Sequence, residues 1–278
     1  MNAYILDAIR TPIGNFTGTL STIRPDDMGA LVIEELMKRN PTVAKEDIED
    51  VIFGCANQAG EDNRNVARMS SLLAGLPYEL GGETVNRLCA SGMAATINAS
   101  RAIKDGAGDI YISGGVEQMT RAPWVISKAS QAFGRDAQMF DSSFGWRFIN
   151  PQMEKLYGVD SMGMTAENLA EQFAISREDQ DAFAISSYER SATAWRTGKF
   201  DQEVIPVEIP QRRGEAIILK EDEEYKNVKL EKVAQLRPAF SKEGTVTAAN
   251  ASTLNDGAAA LVIMSREKAD ELGLKPLA

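Results

Sequence analysis

Not one of the 278 residues is a histidine. Histidine is the usual general acid or base near neutral pH, because its unperturbed pKa lies at about 6.5. A chain of this size without one is an unusual enzyme if it is complete. Only two cysteines are present, Cys55 and Cys89. They make no disulfide framework, which fits a reducing compartment and points to the cytoplasm. There is no excess of positive charge: the formal net charge is −10. That argues against nucleic acid or an anionic membrane as the main partner, although local basic residues can still receive a small anionic ligand. No stretch reaches the length of a membrane helix, and Met1 to Ile9 is too short, and carries Asp7, to be a signal peptide. What remains is an ordinary globular composition, 44% hydrophobic and 25% charged, long enough for a large core and two domains.

Taken along the chain, Ala3–Ile9 reads as a buried strand ended by Pro12 and Gly14. Pro25–Met37 reads as a helix with Met28, Leu31, Val32, Leu36 and Met37 apolar and Pro25 in its first turn. Asp50–Cys55 is a continuous apolar strand, with Cys55 taken as core packing. Asn65–Ala74 is a helix, and Asp109–Ser113 another strand. Strands without alternation, separated by helices, predict a mostly parallel sheet covered on both faces. Gly106 and Gly108 precede a strand and lack a third glycine, so no dinucleotide fingerprint is present. From about Gln118 the sequence turns polar and irregular. Helices follow at Thr165–Phe173 and, behind the capping box Ser176-Arg177-Glu178-Asp179, up to Thr197. Val204–Pro210 alternates as a strand, and the charge run Lys220–Lys232 reads as a solvated face. Thr245–Thr247 has strand character, Ala258–Met264 is a buried strand, and Ser265 caps a short helix that Gly273 ends.

The stretch Val85–Ala95 is the candidate for chemistry. Glu83–Val85 is strand-like, and from Ser91 to about Lys104 the apolar residues keep helical spacing, so Cys89 falls just ahead of a helix N-terminus. A thiolate is favoured there by the dipole and by unpaired N–H groups, and the small neighbours Ala90, Ser91 and Gly92 leave room for a carbonyl. The same context also suits a small buried cysteine of no chemical role.

Asn86-Arg87-Leu88-Cys89-Ala90-Ser91-Gly92-Met93 resembles the nucleophile segment of the thiolases, which make or cleave 3-oxoacyl-CoA through an acyl-cysteine. Four further stretches resemble that family in the same order: Arg10–Gly14 with Phe16 and Gly18; Gly114–Pro123; Met162–Asn168; and Gly244–Ser252 continued by Asn255–Ala260. The resemblance implies an α/β fold: a thiolase-like N-terminal half, 1–118 and 246–278, with a mixed sheet covered by helices. A mostly helical loop domain, 119–245, is inserted in it. The family's second half-fold, with its histidine motif, second cysteine and asparagine, has no matching positions here. The expectation is therefore an acyltransferase chain that is inactive alone.

By the same resemblance Cys89 is the nucleophile, and its own N–H contributes to an oxyanion site. Coenzyme A or acetyl-CoA binds as a substrate, with no metal, nicotinamide or flavin. The CoA contacts fall on Ser161, Met162, Leu236, Ala239, Phe240, Ala248, Ala249 and Ser252. Phe240 reads equally as core of the insertion. Ser161 stands where acetoacetyl-CoA members often carry histidine, and Gly145–Pro151 with Tyr157–Met162 looks like the 3-oxoadipyl-CoA thiolases. Arg147 would then meet a substrate carboxylate, against a plain surface ion pair. The implied partners are CoA thioesters and further copies of the chain, a dimer or tetramer, with neither nucleic acid nor membrane. Two other readings remain: a condensing enzyme of the 3-oxoacyl synthase kind, and a non-catalytic CoA-binding or assembly module.

Overall fold

The structure is a computed structural model and describes residues 2–278. Its chain divides into two compact units. One comprises 1–122, 200–221 and 255–278, the other 123–199 and 222–254. These limits differ from the sequence boundaries at both ends of the insertion. The segment 200–221 joins the first unit because Ile205, Val207 and Ile209 enter its core and Glu203 pairs with Arg10 at 2.7 Å. Residues 246–254 join the second, as described below.

In the first unit the strands are β1 (Ala3–Arg10), β2 (Gly14–Asn15), β3 (Asp50–Gly54), β4 (Glu83–Val85), β5 (Ile110–Gln118) and β10 (Asn255–Ser265). They form one six-stranded sheet in the order β1-β10-β5-β3-β4, with β2 also on β10. The pairings β3/β4 and β3/β5 are parallel, but β10 runs antiparallel to β1, β2 and β5. The sheet is therefore mixed rather than mostly parallel. The reason is topological. β5 ends at Gln118, and Gln118 faces Asp256 at the start of β10. The chain that leaves the sheet after β5 re-enters it at the same end, so the returning strand must run the opposite way. Ile5 on the outer edge of β1 exchanges backbone hydrogen bonds with Leu277 and Ala278.

The helices α1 (Pro25–Arg39) and α2 (Val66–Leu73) lie on one face. Pro25 opens α1, Asp26 and Asp27 occupy its first turn and Lys38 and Arg39 its last, in the sense the helix dipole favours. Met28, Val32, Ile33 and Leu36 are fully buried at helical spacing. Each such side chain stabilises the fold by about 1.5–3 kcal/mol. The other face is covered by α3 (Ser91–Lys104), whose Ala95, Ala99 and Ile103 pack on Ile52, Tyr111 and Ile263. Two further strands, β8 (Val207–Ile209) and β9 (Ile217–Leu219), form a hairpin, and α8 (Arg266–Glu271) follows β10, capped by Ser265 Oγ accepting from Lys268 N.

The second unit contains the hairpin β6 (Trp124–Ile126) and β7 (Met139–Asp141), then α4 (Pro151–Tyr157), α5 (Met162–Gln172), α6 (Arg177–Arg196) and α7 (Glu224–Asn227). Ser176 is the N-cap of α6: its Oγ accepts from Asp179 N, as the capping-box signature expects, while the Asp179 carboxylate accepts from the Ser176 hydroxyl. Thr245–Thr247 is not a strand. The N–H groups of Thr245 and Val246 donate to the buried Glu167 carboxylate, and that of Thr247 to Asn250 Oδ1, so side chains satisfy what a neighbouring strand would otherwise take. No described helix is long and apolar enough to cross a membrane.

Candidate active site

The loop between β4 and α3 holds Cys89 exposed to solvent. Leu88, just before it, has φ +52°, a left-handed conformation that costs a non-glycine residue roughly 1–3 kcal/mol. Three contacts over-determine this turn. Leu88 N donates to Asn86 Oδ1 at 2.9 Å, Arg87 N donates to Ser91 Oγ at 2.8 Å, and Ser91 Oγ donates to Leu88 O at 2.6 Å. Ser91 is buried, so it is a clasp of the loop and not simply open space beside the sulfur. The backbone is lifted over a sharp bend and the thiol is presented at its crest, one residue ahead of the N-cap Ala90.

Glycines bring this bend down onto the sheet. A Cβ on Gly54, at the end of β3, would lie 2.3 Å from Gly92 N, and one on Gly115 would lie 2.6 Å from Gly54 O. Gly54 thus lets the start of α3 sit directly on the end of β3, while Gly115 lets β5 come close to β3 beneath it. Ala94 and Ala95 are buried, while Met93 is 70% and Ile97 37% exposed, and Leu88 beside Cys89 is 72% exposed.

The other cysteine has a different setting. Cys55 is buried, donates to Asn57 O at 2.8 Å and lies 3.8 Å from Glu117 Oε1. Burial pushes its thiol well above the ordinary range, and the nearby Glu117 and Asp62 carboxylates add to this. Glu117 is itself raised by burial, against the opposing effect of the N–H groups of Ala56 and Asn57, which donate to it at 2.7 and 3.0 Å.

The motif Arg10–Gly14 meets the motif Asn255–Ala260. Thr11 Oγ1 accepts from Ala258 N, and Asn255 Nδ2 donates to Gly14 O. Asp256 accepts from Thr120 N and Oγ1. These motif residues are fasteners of the sheet.

In the second unit, Leu236, Ala248 and Ala249 line one groove of about 280 Å³, together with Tyr188, Glu224, Asn227, Val228, Lys229 and Lys232. Three of the eight residues proposed for CoA thus come together. Lys229 and Lys232 are exposed, as a solvated charge run requires, and also line this groove; two lysines three apart shortly before Leu236 are the sequence signal for that second part. The groove wall is held by Arg177, which donates to the carbonyls of Val233 and Leu236 and pairs with the buried Asp181 at 2.8 Å. Asp181 in turn accepts from Asn250 Nδ2.

The remaining five lie outside that groove. Ser161 caps α5, with Oγ accepting from Met164 N, and Met162 is 79% exposed. The Phe240 ring lies on Gly163, where a Cβ would come within 2.1 Å of it, while 41% of the residue stays exposed. Ala239 N donates to Val246 O, and Ser252 is exposed. Arg147 is half-buried, with Nη1 donating to Ser142 O at 3.3 Å. Among the described residues no group of three or more His, Cys, Asp or Glu side chains is arranged to hold a metal ion.

Residues 3–267 match the family model described as "Thiolase, N-terminal domain". The chain is 54% identical over 275 residues to the beta-ketoadipyl-CoA thiolase of Acinetobacter baylyi. It is 52% identical over 277 residues to the 3-oxoadipyl-CoA/3-oxo-5,6-dehydrosuberyl-CoA thiolase of Escherichia coli. In both cases the match takes in 99% of this chain and 69% of the relative. Among solved structures, it is similar to a thiolase from Ascaris suum in complex with coenzyme A. That match has a TM-score of 0.87 and 38% identity, and covers 99% of this chain and 69% of the other. It is likewise similar to the acetyl-CoA acetyltransferase of Bacillus anthracis, with a TM-score of 0.88 and 38% identity over 99% and 68%. With its mixed sheet, its cysteine on a clasped bend and a family match across nearly its whole length, the chain belongs to the thiolase family.

Proposed function

We propose that this chain serves CoA-dependent thiolysis and formation of 3-oxoacyl-CoA, with Cys89 as the acyl-accepting nucleophile and 3-oxoadipyl-CoA as the substrate type. In the cleavage direction the Cys89 sulfur bonds to the C3 carbonyl carbon. The C2–C3 bond then breaks, its electron pair and a proton leave with acetyl-CoA, and the acyl group stays on sulfur. The thiol of a second CoA then takes the acyl group and Cys89 regains its thiol. The observation that carries the reading is the exposed Cys89 on a bend fixed by Asn86 and Ser91. The Cys89 amide contributes to holding the oxyanion. The chain has no imidazole, and general acid–base help is worth roughly 10² to 10⁴-fold. A polypeptide of these 278 residues alone therefore turns over far more slowly than that help would allow.

The groove with Leu236, Ala248 and Ala249 is the proposed pantetheine and adenine contact, with Lys229 and Lys232 facing the phosphates. Ser161, Met162, Ala239, Phe240 and Ser252 complete the proposed CoA set. The names of the relatives favour a dicarboxylic acyl group, and Arg147 is its proposed partner. Exposed Trp124 and Ile126 on the β6–β7 hairpin support assembly into a homo-oligomer, and two free thiols fit the cytoplasm. The test is protection of Cys89 from iodoacetamide. 3-Oxoadipyl-CoA should protect at lower concentration than acetoacetyl-CoA, and Arg147→Met should abolish the difference. Equal protection by both substrates in the unaltered chain contradicts the substrate assignment.

A further inference from the structure

Glu117 carries no role in the chemistry above, yet it lies at the root of the bend that bears Cys89. It is a carboxylate on β5, half-buried, and both its oxygens accept backbone N–H groups: Oε2 that of Ala56 at 2.7 Å and Oε1 that of Asn57 at 3.0 Å. These two N–H groups belong to the segment just after β3. The carbonyl of the same Ala56 accepts from Asn86 Nδ2 at 3.0 Å. Asn86 Oδ1 accepts from Leu88 N, the residue held at φ +52° next to the cysteine. The series is continuous: carboxylate, peptide, side-chain amide, strained turn. Asn86 is exposed, so its orientation is not fixed by packing and depends on these two hydrogen bonds.

We propose that Glu117 is a positioning residue for Cys89, clamping the Ala56–Asn57 segment so that the Ala56 carbonyl orients Asn86 and, through it, the turn that presents the sulfur. The inference rests on Cys89 being the nucleophile. A half-buried carboxylate that merely completed the packing of β5 would contribute to stability without changing how Cys89 reacts. A clamp acts on the reacting geometry itself, where a displacement of about 1 Å can cost on the order of 10²-fold.

Bromoacetyl-CoA separates these alternatives, because the Cys89 sulfur displaces bromide in one step and the rate saturates with reagent. In Glu117→Gln one oxygen still accepts an N–H while the amide nitrogen opposes the other. The expected result is a fall of about 10-fold or more in the maximum labelling rate of Cys89, with the half-saturating concentration unchanged. Amides of Arg87–Ser91 should exchange hydrogen faster while those of α1 do not. Asn86→Asp, which keeps the acceptor for Leu88 N and loses the donor to Ala56, should give the same fall. The double variant should be no slower than either. A maximum rate in Glu117→Gln equal to that of the unaltered chain overturns the proposal. Should Glu117→Gln not fold, an unchanged rate in Asn86→Asp overturns it instead. An unaltered chain whose Cys89 is not labelled overturns the nucleophile assignment, and this inference with it.

Discussion

Gly54 and Gly92 are in backbone contact: a Cβ on Gly54 would lie 2.3 Å from the Gly92 nitrogen. The end of β3 and the first turn of α3 meet with no side chain between them, and Cys89 takes its place from that contact. Gly54→Ala should therefore push the helix start outward. Overpacking of this kind costs typically 1–3 kcal/mol. Urea denaturation should show a loss in that range, with altered Cys89 alkylation; an unchanged midpoint would mean that the contact is looser than described.

The two cysteines should differ sharply in reactivity. Cys89 is exposed, whereas Cys55 is buried with its thiol pushed up by burial and by the Glu117 and Asp62 carboxylates. The thiolate is the reacting species, so brief treatment with iodoacetamide near pH 8 should label Cys89 and leave Cys55 free. Peptide mapping reads this directly, and preferential labelling of Cys55 would contradict it.

Asp181 ties the groove together by holding both Arg177 and Asn250. Removing one member of a buried, hydrogen-bonded charge pair costs about 3–5 kcal/mol. Asp181→Ala should lose stability on that scale and bind CoA more weakly, because the Leu236 carbonyl and the turn containing Ala248 and Ala249 lose a common anchor. Calorimetric titration with CoA would check the second point; unchanged affinity would place the CoA contacts elsewhere.

Glu61 accepts two hydrogen bonds from Arg121 and lies near Arg24, and the Arg121 hydrogen bonds hold its carboxyl below the usual range. A pKa depressed in the folded state stabilises above the unfolded value, about 4.3 for glutamate, and that contribution is lost as pH falls through the folded value. The stability difference between the unaltered chain and Glu61→Gln should therefore be constant from pH 7 to about 5 and shrink below about 4. Denaturant titrations across that range measure it; a difference independent of pH would mean that Glu61 is not held by its charge.

Local features were legible in the sequence. The cap at Ser176, the Pro25 start of α1 and the strand–bend–helix around Cys89 are set by neighbours a few residues away, and the structure has all three. What escaped were relationships between distant segments. The antiparallel sense of β10 depends on where a long excursion re-enters the sheet. Thr245–Thr247 looked like a strand because its residues favour one, but Glu167, nearly 80 positions earlier, takes its N–H groups. Lys229 and Lys232 are exposed members of a charge run, and nothing local tells an exposed lysine over open surface from one that also lines a groove. Glu117 sat inside a recognisable motif, yet its partners are about 60 residues away.

The central claim is that Cys89 receives an acyl group from a CoA thioester. Bromoacetyl-CoA tests it most directly on the unaltered chain, by carrying a carbon that traps the sulfur as a stable thioether. The account predicts labelling confined to the peptide containing Cys89, saturating with reagent, faster than with iodoacetamide at equal concentration, and suppressed by free CoA. Labelling that is linear in reagent, indifferent to CoA or found on Cys55 would contradict it.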